Sequence, residues 1–355
     1  MPKILRLPGF IDIHVHLRDP GQTNKEDFYT GTCAAIAGGV TSVFDMPNNL
    51  EPIFSIEALE KKEREAREKA VCDYGLYFGT DGKNTELFEK VARRVVGLKL
   101  YLSLTTGKYV VGNPDLVSLI FKKWPKKKNI VVHAEDESID LAIRLASKYQ
   151  NRLHITHVSN KYSLKKIIKA KKEGLKITCD VTPHHLFLTE DKLKSMKGFA
   201  MVKPPLASED DVDFLWENLG FIDCIATDHA PHTSEEKKGE IPPFGLPGVE
   251  TMVPLMLNAV SQERLSLDDL VRLINVNPQK IFGFKQDKET YIEVDTQEKY
   301  IIENKNLFTK CGWSPYAGWE IRGKIKNVFI RGTKVFSEGK VLVKEGFGKQ
   351  VQMDD

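Results

Sequence analysis

The segment Asp12-Ile13-His14-Val15-His16 sets a carboxylate and two imidazoles at every second position. On a β-strand alternate side chains share a face, so Asp12, His14 and His16 are expected to point one way and Ile11, Ile13, Val15 and Leu17 the other. Two imidazoles so spaced near a strand end make a good metal chelate. Alone, such a pair is as often a core or surface feature. Four other residues shift that balance. Lys99 sits in GLKLYL with Leu98, Leu100 and Leu102 on the opposite face, which puts its amine inside the fold. A bare ammonium is expensive there, unless a carboxylate pairs with it or burial depresses its pKa until it is neutral. A neutral amine can add carbon dioxide and become a carbamate, an anion able to bridge two cations. His133, His157 and Asp228 each close a β-branched or apolar run. Together His14, His16, Lys99, His133, His157 and Asp228 suit two borderline-soft divalent ions, zinc above all. Two metals about 3.5–4 Å apart activate water and polarise a carbonyl. Asp228 is then placed to pass a proton to a leaving nitrogen. The chemistry expected is hydrolysis of an amide-like bond, or its reverse.

These side chains need a scaffold that brings strand ends together. Eight short runs alternate with helical, charge-rich stretches: 10–16, 40–47, 71–79, 97–102, 129–135, 152–159, 175–185 and 221–231. Eight strands with intervening helices predict an α/β fold, a (β/α)8 TIM-like barrel over residues 8–284, whose active site forms at the carboxyl ends of the strands. A doubly wound open sheet is the competing architecture, but no glycine-rich phosphate turn follows the first strand. SIEALEKKEREAREKA carries Glu and Lys/Arg at i,i+4 and reads as a solvated helix face. After NPQKIFGF the pattern changes to short strands with turn residues. Residues 285–355 are therefore expected to form a small β appendage, completed by a strand from residues 1–7.

The 355 residues are 41% hydrophobic and 28% charged, an ordinary globular balance, so disorder is excluded as the dominant state. With 52 basic and 49 acidic residues the net charge is +3, too small to imply nucleic acid. The five cysteines are scattered without a CxxC pair, which argues against a disulfide framework and fits a reducing cytoplasm. The N-terminal segment lacks a signal-peptide pattern, and no apolar run is long enough to span a bilayer.

With HVHLRDPG, MPNN, GLKLYL, HAE, HVS, PHHL and DHAPH in order, and with ATDHAPHTSEEK and WSPYAGW, the sequence closely resembles the dihydroorotases of the amidohydrolase superfamily. It is most similar to the short form found as a domain of the animal multifunctional pyrimidine-synthesis polypeptide. The resemblance runs from Pro8 to about Val351. It implies reversible cyclisation of N-carbamoyl-L-aspartate to L-dihydroorotate plus water, in UMP biosynthesis. It implies two zinc ions per chain, one held by His14, His16, carboxylated Lys99 and Asp228, the other by carboxylated Lys99, His133 and His157. Asp228 would also be the general base and acid. Arg18, Asn48 and His232 match the substrate-carboxylate binders, and Phe244-Gly245 matches a stretch that contacts the pyrimidine ring. Lys203 stands where the animal-type relatives have an arginine, Thr156 where they have a cysteine, and Asp180 where they have a glutamate. Thr105 matches a loop threonine that reaches substrate, while Thr106 replaces an aromatic residue, and a mobile lid is expected there. A homodimer and association with aspartate carbamoyltransferase are implied as well.

Two competing readings stand beside this one. Another cyclic amidohydrolase, such as an allantoinase or dihydropyrimidinase, would act on rings without the carboxylate and leave Arg18 without a partner. A catalytically silent relative serving as a scaffold would usually have lost metal ligands, yet all six matched positions are filled. The other residues read plainly: His184 and His185 as structural, His154 as core, Trp313 and Trp319 as packing between appendage and barrel, and the lysines at 122, 123 and 126–128 as a solvated helix end.

Overall fold

A computed structural model describes residues 3–104 and 109–353. Eight parallel strands follow one another in chain order around a barrel: β2 (Phe10–Val15), β3 (Val40–Asp45), β4 (Asp73–Gly79), β5 (Gly97–Tyr101), β6 (Asn129–His133), β7 (Arg152–Ile155), β8 (Ile177–Val181) and β9 (Cys224–Ile225). All eight expected runs supply a strand. The ring closes through a parallel bridge between Val15 and His229 and an amide bond from His16 to the His229 carbonyl at 2.8 Å. Because both faces of each strand are covered, the strands read as apolar runs rather than as clean alternation. Leu98, Leu100, Ile130, Val132, Leu153 and Ile155 pack outward under the helices. Phe44, Tyr77, Val131 and Ala226 fill the barrel's interior, with Phe282 below them.

Helix starts are marked by side chains that take the free amide groups of the first turn. Asp27 opens α1 (Phe28–Ala37) with a reciprocal capping box to Thr30, and Ser55 opens α2 (Ile56–Lys69) by accepting from the Ala58 amide. The appendage is a five-stranded antiparallel sheet in which β1 (Ile4–Pro8) pairs with β10 (Tyr291–Ile301), followed by β11 (Glu320–Ile330), β12 (Thr333–Ser337) and β13 (Lys340–Val341). The N-terminal segment thus joins the C-terminal sheet as expected. TYIEVD and EKYIIE are not two strands but one, irregular between Asp295 and Lys299. Trp313 and Trp319 lie in an apolar cluster that joins Ile302, Tyr316 and Ile321 to Val202, Leu246 and Leu255. The five cysteines are all buried and free. No helix among the described residues is long and apolar enough to cross a membrane.

Two expectations need correction. The register between β2 and β3 shifts between Asp12 and Val15, so plain alternation fails there. Ile11 and Ile13 join the interior cluster, whereas Phe10, Val15 and Leu17 pack under the helices. The α2 face is not wholly solvated either: Lys62 is 0% exposed.

Candidate metal centre and anion pocket

The side chains singled out by the sequence gather at the carboxyl ends of the strands. His14 lies near the end of β2 and His16 just past it, Lys99 lies within β5, His133 ends β6, and His157 and Asp228 follow β7 and β9. All six are buried. Arg18, His157 and Asp228 have positive φ, at 65°, 41° and 47°. Such backbone costs about 1–3 kcal/mol per non-glycine residue and persists only where its surroundings hold it, typically at functional sites. At the end of β7 it brings consecutive side chains together, with Thr156 Oγ1 3.0 Å from His157 Nε2.

One group of donors is His14, His16 and Asp228, whose ligand atoms all lie within 4.8 Å of one another. Asp228 Oδ1 is 2.9 Å from His16 Nε2 and 3.2 Å from His14 Nε2. The His16 ring is oriented by Asn48, whose Oδ1 accepts from Nδ1 at 2.6 Å. That bond puts the ring proton on Nδ1 and turns the Nε2 lone pair toward a carboxylate oxygen. Lone pair and carboxylate repel unless a cation or a second proton joins them. In the other group His133 Nδ1 faces His157 Nε2 at 2.9 Å. Burial holds His14 and His157 well below the ordinary histidine range, with Lys99 and neighbouring imidazoles adding to the effect. Neutral rings are the ones that ligate metal. Buried His14 Nδ1, His133 Nε2 and His157 Nδ1 have no hydrogen-bond partner. The donor set, its neutrality and the facing nitrogens fit divalent cations of the zinc type.

Lys99 is near enough to both groups for its charge to act on His14 and His157. Its Nζ is 3.3 Å from Thr156 Oγ1, and its side chain is fully buried. Burial lowers its pKa to about 8, with Asp228 and Asp180 opposing the shift. A substantial neutral fraction is therefore present near pH 8, the form that can capture carbon dioxide.

Beside the donors lies a small cavity lined by His16, Arg18, Asn48, Val202, Lys203, Asp228, Ala230, Phe244 and Gly245. It brings together five of the expected substrate binders and two of the metal donors. The Arg18 guanidinium is buried, donating to the Pro231 carbonyl at 3.2 Å and lying 3.1 Å from His232 Nε2. Among the described residues no carboxylate reaches ion-pair distance of it. His232 is pushed down to about 2 by burial and by Arg18, Lys25 and Lys237. It stays neutral, with Nε2 3.1 Å from the Phe244 carbonyl. Lys203 Nζ lies 5.7 Å from the Phe244 ring centroid. Thr105 and Thr106 lie outside the described residues.

Several contributors were not legible in the sequence. Lys25 bridges His232 Nδ1 at 3.3 Å and Glu236 at 2.8 Å. Lys237 donates to the carbonyls of Met201, Pro243 and Gly245 and so ties the Lys203 and Gly245 loops together. Trp313, read only as packing, also donates to the His232 carbonyl at 2.8 Å. His185 is held structurally by Thr182 and the Pro204 carbonyl, and His154 by Asp180 and Thr178, as expected.

The family model "Amidohydrolase family" matches residues 5–335. The chain is 44% identical over 351 residues to the "Multifunctional protein CAD" of Squalus acanthias, covering 99% of this chain and 16% of that one. The chain thus spans about a sixth of the length of the first curated relatives it matches. It is 37% identical over 361 residues to a dihydroorotase of Pyrococcus horikoshii, covering 95% of this chain and 82% of that one. Among solved structures, the L-hydantoinase of Arthrobacter aurescens superposes with a TM-score of 0.93 at 27% identity, over 98% of this chain and 89% of that one. Fold, donor set and sequence agree: the chain belongs to the amidohydrolase family and groups there with the dihydroorotases.

Proposed function

We propose that this protein catalyses the reversible cyclisation of N-carbamoyl-L-aspartate to L-dihydroorotate plus water, in de novo pyrimidine synthesis. The observation that carries the reading is Arg18. A guanidinium 6% exposed, which no carboxylate among the described residues reaches at ion-pair distance, calls for an anionic ligand. A ring bearing a carboxylate supplies one, whereas allantoin and dihydrouracil do not.

In this reading His14, His16 and Asp228 would hold one zinc, His133 and His157 would hold the other, and carboxylated Lys99 would serve as a ligand to both. The metals, when bound, supply Lewis acidity toward the carbonyl and lower the pKa of water. Arg18, Asn48 and His232 hold the substrate carboxylate, with Lys203 at the cavity's edge. Phe244 and Gly245 border the ring. Asp228 takes the proton of the attacking water and returns it to the departing ring nitrogen. Run in reverse, ring closure takes up one proton, because a dicarboxylate becomes a monocarboxylate and water. Acid therefore favours dihydroorotate and alkali favours carbamoyl-aspartate.

The match to a segment of a multifunctional protein supports work beside other enzymes of the pathway; association with aspartate carbamoyltransferase, a cytoplasmic location and a homodimer belong to the same reading. The test is turnover by protein loaded with zinc in bicarbonate, comparing dihydroorotate with allantoin and dihydrouracil. Preferred turnover of dihydroorotate is expected. Preference for either uncarboxylated ring, or no turnover of dihydroorotate, overturns the assignment.

A further inference from the structure

Lys62 is a helix residue on the outside of the barrel whose ammonium ends at the barrel's mouth. Its Nζ forms an ion pair with Asp45 Oδ2 at 2.6 Å and donates to the Met46 carbonyl at 2.5 Å and to Asn49 Oδ1 at 2.8 Å. Both partners of the ion pair are buried, with Lys62 at 0% exposure. A charge sent so deep from a surface helix is costly to desolvate, so its bonds must compensate for it.

The partners show what the charge is connected to. Asp45 Oδ1 accepts the Leu17 amide at 2.7 Å. Asn49 Nδ2 donates to the Pro20 carbonyl at 3.1 Å. The loop from Leu17 to Pro20, which carries Arg18, is thus fastened at both ends to groups held by Lys62. The loop from Met46 to Asn49, which carries Asn48, is fastened at both ends by Lys62 itself. Arg18 has φ of 65°, a conformation that surrounding structure must impose. Asn48 in turn orients His16.

We propose that Lys62 is the positioning residue of the substrate-carboxylate clamp: one buried ammonium sets the Arg18 and Asn48 loops relative to each other and acts on recognition only through them. The inference rests on the reading of Arg18 and Asn48 as substrate binders. It adds a residue that touches no substrate and lies on a different element.

The test separates positioning from plain stability. Lys62→Met alone leaves Asp45 buried and uncompensated, so folding is expected to suffer. The double variant Lys62→Met/Asp45→Asn removes both charges and keeps a carbonyl oxygen for the Leu17 amide. It is expected to fold, to melt somewhat below the wild type because the Met46 carbonyl and Asn49 Oδ1 lose their donor, and to bind wild-type zinc. Its KM for dihydroorotate should rise about tenfold or more, with kcat changed less than about threefold, because loosened ground-state binding shows in KM. Lys62→Arg, which keeps the charge but not the geometry, should fall between. A double variant that folds and has wild-type KM overturns the proposal, as does a fall in kcat with KM unchanged. Should the double variant not fold, Asn49→Ala decides: it cuts the link to Pro20 and leaves the ion pair. A KM raised about threefold or more by that variant supports the proposal, and an unchanged KM overturns it. If the wild type itself fails to turn over dihydroorotate, the assigned activity has failed. If it turns over while these variants match it, only the role of Lys62 has failed.

Discussion

His133 Nδ1 and His157 Nε2 face each other across 2.9 Å at the ends of neighbouring strands. Without a cation one ring must donate to the other, and both rings then keep an unpartnered buried nitrogen. With a cation both can offer lone pairs. The pair is therefore expected to govern metal content. His157→Ala should lower bound zinc from two per chain toward one and cut turnover by at least ~10²-fold, since the Lewis-acid contribution of a metal is worth several kcal/mol. Zinc analysis of purified variant and wild type, after loading and desalting, checks it. Equal zinc in the two would remove His157 from the donor set.

A second expectation concerns the buried amine of Lys99. Carbamate formation needs neutral Lys99 and releases a proton, so it is favoured as pH rises through the amine's pKa of about 8. Below that value the ammonium dominates and cannot add carbon dioxide. Recovery of activity by metal-free protein given zinc at a fixed dissolved carbon dioxide concentration should therefore be slow at pH 6 and quicken up to about pH 8–9. Lys99→Arg, whose guanidinium stays charged, should not recover at any pH. A recovery rate that ignores both pH and carbon dioxide would argue against the carbamate.

The gathering of the candidate metal donors was legible because they sit at ends of strands whose apolar faces are short, continuous and regularly spaced. A barrel then delivers every such end to one rim. Register inside a strand was less legible. The shift between Asp12 and Val15 returns His14 and His16 to the interior while Ile11 and Ile13 also stay there, and one extra residue leaves no mark on the hydrophobic pattern. Lys99 apart, buried lysines were the least legible. Lys25, Lys62 and Lys237 lie in polar, charge-rich segments that resemble solvent-exposed surface. Their partners include His232 for Lys25, Asp45 for Lys62 and Met201 for Lys237, contacts that depend on the assembled fold.

Arg18 offers the sharpest test of substrate class. Arg18→Ala should lower kcat/KM for dihydroorotate by about 10²–10³-fold, the range expected when a charge-assisted, bidentate contact is lost from a buried site. Any weak turnover of dihydrouracil should change little, because that ring has no carboxylate to lose. Arg18→Lys should recover only part of the loss, as an ammonium lacks the planar fork. Parallel measurement of both rings on the same preparations checks it. Equal losses on both would mean that Arg18 supports the loop rather than the carboxylate.

Gly245 ties the ring-contacting stretch to the rest of the pocket. Its φ of 139° is one that side-chain-bearing residues rarely adopt. A Cβ built there would meet the Ala230 carbonyl oxygen at 2.5 Å and His232 Cδ2 at 3.1 Å. The first of these is backbone and cannot step aside cheaply. Gly245 also donates its amide to the Met201 carbonyl at 3.0 Å and gives its own carbonyl to Lys237 at 2.9 Å. Gly245→Ala must therefore displace the 244–245 stretch, and with it the Phe244 carbonyl against which His232 rests. Neither Phe244 nor Gly245 is among the metal donors, so zinc content should hold. KM for dihydroorotate should rise by about tenfold or more, and stability should fall by roughly 1–3 kcal/mol, the usual cost of strain at a special backbone position. Steady-state kinetics, zinc analysis and thermal melting of one preparation separate these effects. A variant with wild-type KM would show that the ring does not rest on this stretch.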